Sequence, residues 1–157
     1  MEIKVNGERA LRLEPATNGG PNVIGGSSLN FVSAGVSGAS IGGGGGVWSG
    51  GGTTSANSNK VTASFGTVAG GSDNTSSGFN GTVGGGYGNT ASGPSSIVGG
   101  GESNIASGPS SIVGGGETNI ASGTSSTVPG GLGNVAECYC SFAAGRRAKA
   151  GAAGSFV

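Results

Sequence analysis

The chain has no histidine, only 9% charged residues and only 5% aromatic ones. Without histidine it lacks the side chain that most often serves as general base near neutral pH and as metal ligand. Serines are plentiful, yet no base stands ready to activate them. The acids are scattered. Glu102 and Glu117 fall one repeat apart, where like charges repel rather than share a proton. Calcium-binding β-rolls need an aspartate in each glycine-rich nonapeptide, and Asp73 is the one aspartate. The run Gly42–Gly46 lacks the Lys-Ser/Thr of a phosphate loop. These shortages argue against an enzyme, a cofactor site or a metal site. Seven basic residues balance seven acidic ones, so no net field favours nucleic acid or an anionic membrane. No apolar run is long enough to span a bilayer. No charged-then-apolar leader opens the chain, which leaves a piece of a longer exported protein, or export by a route needing no such signal.

What the chain has instead is glycine, 39 of 157 residues. Such content ordinarily marks a flexible linker, but a linker has no reason to hold other residues in phase. Val68, Val83, Val98, Val113 and Val128 recur every fifteen residues. Asn74, Asn89, Asn104, Asn119 and Asn134 keep the same period, as do Ala91, Ala106, Ala121 and Ala136. Gly70, Gly85, Gly100, Gly115, Gly130 and Gly145 are placed at the rung bends. A fixed short period is the mark of a solenoid. Fifteen residues are too few for a helix pair and suit one turn of a β-coil. Collagen is excluded because glycine does not fall at every third position. The expected fold is all-β, a parallel β-roll or β-solenoid with rungs of about 15 residues.

Residues 1–14 predict an N-terminal β-hairpin or cap. Ile3 and Val5 alternate with charged residues, Asn6-Gly7 suits a type I′ turn, and Ala10, Leu11 and Leu13 return. Such a hairpin would cap the first rung, since an open β-stack exposes unpaired backbone, or join an upstream part. Residues 15–157 form the repeat domain. Asn22–Gly26 and Ala39–Gly43 begin it as irregular rungs, seventeen residues apart. Residues 47–60 break the rhythm and are expected to bulge as a loop, which makes Ile41 and Val68 equivalent. Trp48 and Lys60 are the candidate ligand contacts of that loop, although a lone loop tryptophan also commonly packs back on its scaffold. After residue 140 the period shortens to fourteen, from Ser141-Phe142 to Ser155-Phe156. Val157 falls inside an expected strand, so the natural chain is expected to continue.

Each rung is expected to offer two strands of about four or five residues, near Ser96–Gly99 and Asn104–Ser107, pairing in parallel with the next rung at ~4.8 Å. Val68, Val83, Val98, Val113, Val128 and Ala143 form the expected core column. Side chains alternate faces, so Ile97 and Ile112 point outward if Val98 and Val113 point inward. One valine and an alanine or two per turn bury little area against ~1–2 kcal/mol of backbone entropy per residue. Self-association would cover the outward column, so an obligate oligomer is expected. Cys138 and Cys140 share a strand face. Two cysteines cannot make a four-ligand zinc site in one chain, and a bridge between them is strained. Two small buried residues are expected, with cross-linking between protomers as the alternative. Arg146, Arg147 and Lys149 read as a solvated basic rim, with acidic-glycan binding as the lesser reading.

The units Thr82-Val83-Gly84-Gly85-Gly86-Tyr87-Gly88-Asn89-Thr90-Ala91-Ser92-Gly93 and Ser141-Phe142-Ala143-Ala144-Gly145-Arg146-Arg147-Ala148-Lys149-Ala150 resemble the head repeats of trimeric autotransporter adhesins. Similar repeats occur in phage-type tail fibres and large bacterial surface proteins. The resemblance covers roughly residues 20–157, most strongly from 61 onward. It implies a left-handed parallel β-roll assembled as a homotrimer. The rungs depart from that family in being mostly fifteen rather than about fourteen residues long, with heavier glycine triplets.

The functional expectation is a non-enzymatic head or shaft segment of an adhesin or tail fibre, extracellular, at a cell surface or on a particle tail. It would present loops to a host-surface protein or glycan, with no nucleic acid partner and no membrane insertion. Two alternatives stand beside it. An ice-binding or surface-templating solenoid needs an unbroken threonine rank, but the column reads Thr67, Thr82, Ile97, Ile112, Thr127. A self-assembling structural filament is the other.

Overall fold

A computed structural model describes residues 1–16, 19–50 and 53–157. Among them the chain is all-β, a parallel solenoid of about 8 turns with rungs of about 15 residues. Among the described residues no helix is long and apolar enough to cross a membrane.

The solenoid opens with β1 (Glu2–Val5) and β2 (Glu8–Glu14), an antiparallel hairpin. Asn6 and Gly7 take φ of 51° and 83° at its turn, the left-handed pair of a type I′ connection. β2 then runs antiparallel along β3 (Asn22–Gly25), Leu13 opposite Val23. That pairing covers the edge of the first sheet, which would otherwise offer unpaired backbone. Arg9 pins the hairpin down by donating to the Ser27 and Asn30 carbonyls at 2.8 and 2.7 Å.

Two sheets wrap the core. β3 pairs with β5 (Ser40–Ile41), which pairs with Thr67–Val68, followed by Thr82–Val83, Ile97–Val98, Ile112–Val113 and Thr127–Val128. The second sheet starts at β4 (Phe31–Val32) and continues through Lys60–Val61, Thr75–Ser76, Thr90–Ala91, Ile105–Ala106, Ile120–Ala121, Val135–Ala136 and Lys149–Ala150. A third line of contact joins Ser72, Tyr87, Glu102, Glu117 and Leu132, then Arg146.

The strands of the regular rungs are two residues long, shorter than the four or five expected. The backbone explains the difference. Each rung turns three times through left-handed residues, in the columns Gly86-Gly101-Gly116, Ser103-Thr118 and Ser95-Ser110-Ser125. Serine and threonine there are small and carry a local hydrogen-bonding group. A narrow closed coil leaves room for no longer straight segment.

Between β5 and the next rung, β6 (Gly46–Gly50) and β7 (Thr53–Asn57) form a second antiparallel hairpin. Within the 47–60 segment, expected to bulge as a loop, the described residues up to Asn57 belong to the strands of this hairpin. Lys60 belongs to the solenoid, between Phe31 and Thr75 in the second sheet. Its ammonium stands 3.6 Å from Asp73.

Candidate functional site

Val68, Val83, Val98, Val113, Val128 and Ala143 form one fully buried column, and Ala91, Ala106, Ala121, Ala136 and Ala150 form its opposite. Beside them runs a buried ladder of asparagines. The Asn104 amide donates to Gly100 O at 2.9 Å in its own rung and to Gly116 O at 2.8 Å in the next. Its Oδ1 accepts from the Asn119 backbone N–H at 2.9 Å. The pattern repeats from Asn30 through Asn59, Asn74 and Asn89 to Asn134, whose Oδ1 accepts from Ala148 N at 2.9 Å. With Ala148 in the asparagine's place, the ladder ends there. The asparagine phase was visible in the sequence, but its structural role was not.

Small-residue packing fills the rest. Ser76 sits inside one rung, and a Cβ on Gly81 would come within 3.0 Å of its Oγ. Where alanine replaces that serine, at Ala91, the facing position becomes Ser96. The hydroxyls of Ser96, Ser111 and Ser126 are buried without partners, whereas the equivalent Ser141 hydroxyl donates to Cys138 O at 2.7 Å. An unpaired buried hydroxyl contributes nothing to offset its desolvation. Ser111→Ala is therefore expected to leave stability unchanged or raise it by up to ~1 kcal/mol, read from the urea midpoint.

The bend glycines need a finer assignment. Gly71, Gly86, Gly101, Gly116 and Gly131 are left-handed; of the expected bend glycines, Gly85 (φ 150°) and Gly145 (φ 100°) also have positive φ, while Gly70, Gly100, Gly115 and Gly130 do not. The carbonyls of Gly70, Gly85, Gly100, Gly115 and Gly130 accept from the asparagine ladder. Gly145 pairs with Gly131 rather than continuing the Gly130 column, because the shortened rung loses its residue just before that bend.

The cysteines depart from the expectation of burial. Cys138 is half-buried, Cys140 is exposed, and both are free. They lie in a turn, with Cys140 at φ 51°, so no strand face unites them. Arg146, Arg147 and Lys149 are exposed, and Lys149 pairs with Glu137 at 3.2 Å.

A concave feature of the surface is built by the second hairpin. In its register Trp48 faces Ser55 and Gly46 faces Asn57. Alternation puts Trp48, Ser55 and Asn57 on one side and Val47 and Ala56 on the other. The first side, together with Ser72 and Tyr87 of the third solenoid line, encloses a cavity of about 420 Å³. Trp48 remains 60% exposed and Tyr87 48% exposed, so both rings are open to a ligand. Trp48 thus faces its own scaffold across the cavity without being buried by it. Lys60, the other expected ligand residue, does not line the cavity. Ser55, Asn57, Ser72 and Tyr87 could not be grouped from sequence, since a projection and two separate rungs must meet.

The chain matches no protein-family model and no curated protein. Among the described residues no group of three or more histidine, cysteine, aspartate or glutamate side chains gathers into a metal-binding cluster. Among the described residues the arrangement combines a buried, hydrogen-bonded interior with an open cavity lined by two aromatic rings.

Proposed function

We propose that this chain is a non-enzymatic fibre segment, a homotrimeric β-roll of the kind that forms heads or shafts of surface adhesins and tail fibres. It would work outside the cell or on a particle tail, holding its projecting hairpin toward a host-surface protein or glycan. The observation that carries this reading is a pair of outward apolar ranks at the same rungs. Ile97 and Ile112 stand 41% and 39% exposed on one sheet, and Ile105 stands 37% exposed on the other, with Ile120 beside it. A monomer leaves both ranks wet. An isologous dimer covers one patch per subunit, whereas a closed ring gives every subunit two neighbours. Three is the smallest ring, and the likeness to trimeric adhesin repeats favours it. The threonine rank that an ice-binding surface needs is broken at Ile97 and Ile112.

Size-exclusion chromatography with light scattering is expected to give three times the chain mass. In the double variant Ile112→Lys/Ile120→Lys, buried and unpaired charge should oppose assembly, shifting the mass to that of one chain. A folded wild-type monomer at micromolar concentration would remove the trimer from the proposal.

A further inference from the structure

We propose that the cavity between the hairpin and the solenoid is a binding site for a neutral saccharide. The inference rests on the adhesive reading above for its biological setting, while the chemistry comes from the cavity itself. Its lining combines two open aromatic rings, Trp48 and Tyr87, with the hydroxyls of Ser55 and Ser72 and the amide of Asn57. Aromatic faces suit the C–H faces of a pyranose ring, and the phenol, hydroxyl and amide groups match its ring of hydroxyls. Among the described residues no lysine, arginine, aspartate or glutamate lines the cavity, so its own lining offers no countercharge to a carboxylate, phosphate or ammonium on the ligand. A volume of about 420 Å³ lies in the range of small-molecule sites and has room for about one or two hexose rings.

The two walls come from different parts of the chain. Trp48, Ser55 and Asn57 ride on a hairpin fixed by five paired positions, Gly46–Asn57 through Gly50–Thr53. Ser72 and Tyr87 are paired with each other across successive rungs. Among the described residues both walls come from one chain. An apolar peptide would also value the two rings, but it would leave the three polar side chains without a matched partner. The polar set favours the sugar.

Trp48 is the one tryptophan of the chain, so its fluorescence reports this cavity and nothing else. Titration with glucose, galactose, N-acetylglucosamine and their short neutral oligosaccharides is expected to give a saturable blue shift for at least one of them. The dissociation constant should be on the order of 1 mM or below. Tyr87→Ala should weaken that binding by about tenfold or more, whereas Tyr139→Ala, at an exposed turn elsewhere, should leave it unchanged. If Tyr87→Ala fails to fold by circular dichroism, Asn57→Ala supplies the same comparison. No saturable response to any of these sugars would overturn the site. So would equal affinity in the Tyr87 or Asn57 variant, or a response to an apolar or proline-rich peptide in place of the sugars. The result is separable from assembly. A monomer that binds sugar keeps the site and loses the trimer, and a trimer that binds none does the reverse.

Discussion

Asn104→Ala is expected to lower the unfolding free energy by about 2–5 kcal/mol, more than removing a core valine. The substitution deletes one side chain that serves three backbone groups. Asn119 N–H loses its acceptor and Gly100 O loses its donor. Gly116 O keeps one partner, the Glu102 N–H at 2.9 Å. One buried N–H and one part-buried carbonyl are orphaned, and ~1–3 kcal/mol for each such group sets the scale. Val98→Ala removes two methyl groups from an equally buried position, worth roughly 1.5 kcal/mol at ~0.8 kcal/mol per group. Urea unfolding of both variants at one fixed protein concentration makes the comparison, since assembly also shifts apparent stability. Asn104→Asp sharpens it. The aspartate keeps an acceptor for Asn119 N–H but sets a carboxylate against two carbonyl oxygens, so it should be at least as damaging at neutral pH. A valine variant clearly less stable than the asparagine variant would mean that apolar packing, not the ladder, dominates this interior.

That comparison changes the view of the core that the sequence supports. Counted by apolar area, a rung with one valine and one alanine looks too thin. The stack also holds a continuous polar spine whose donors and acceptors are met rung by rung. Buried networks of this kind are strong when complete and costly when broken. The fifteen-residue period, the stacking of Ile41 on Val68 and the outward turn of Ile97 were legible because periodicity and side-chain alternation carry them. Other features depend on backbone detail that leaves little trace in residue type. Cys140 sits in a left-handed turn position held elsewhere by Asn80, Ser95, Ser110 and Ser125, and a Cys-x-Cys pattern alone reads as well for a strand. The hairpin around Trp48 was hidden because Val47-Trp48 and Thr53–Ala56 lack a clear apolar alternation. Gly145 was misplaced by one column because a fifteen-residue count runs through a rung that is one residue shorter.

The glycines provide the other large effect, and adjacent positions should behave oppositely. Gly101→Ala is expected to cost about 2–5 kcal/mol. Gly101 holds φ at +88°, and a Cβ there would run into the Gly116 carbonyl oxygen and come within 2.7 Å of the Asn104 amide nitrogen. The first effect strains the backbone, and the second presses on the ladder. Both act within the stacked rungs, so little relaxation is available. Gly100→Ala should fall within about 1 kcal/mol of the parent and can gain from a less free unfolded chain. The nearest atom to its added Cβ is Gly85 O at 4.0 Å, and its φ is not left-handed. Thermal and urea unfolding of the two variants decide the matter, and equal destabilisation would contradict the register of this stack. Concentration separates one further outcome. If Gly100→Ala loses stability only on dilution, the added methyl meets a neighbouring subunit, because a clash within one chain has no dependence on protein concentration.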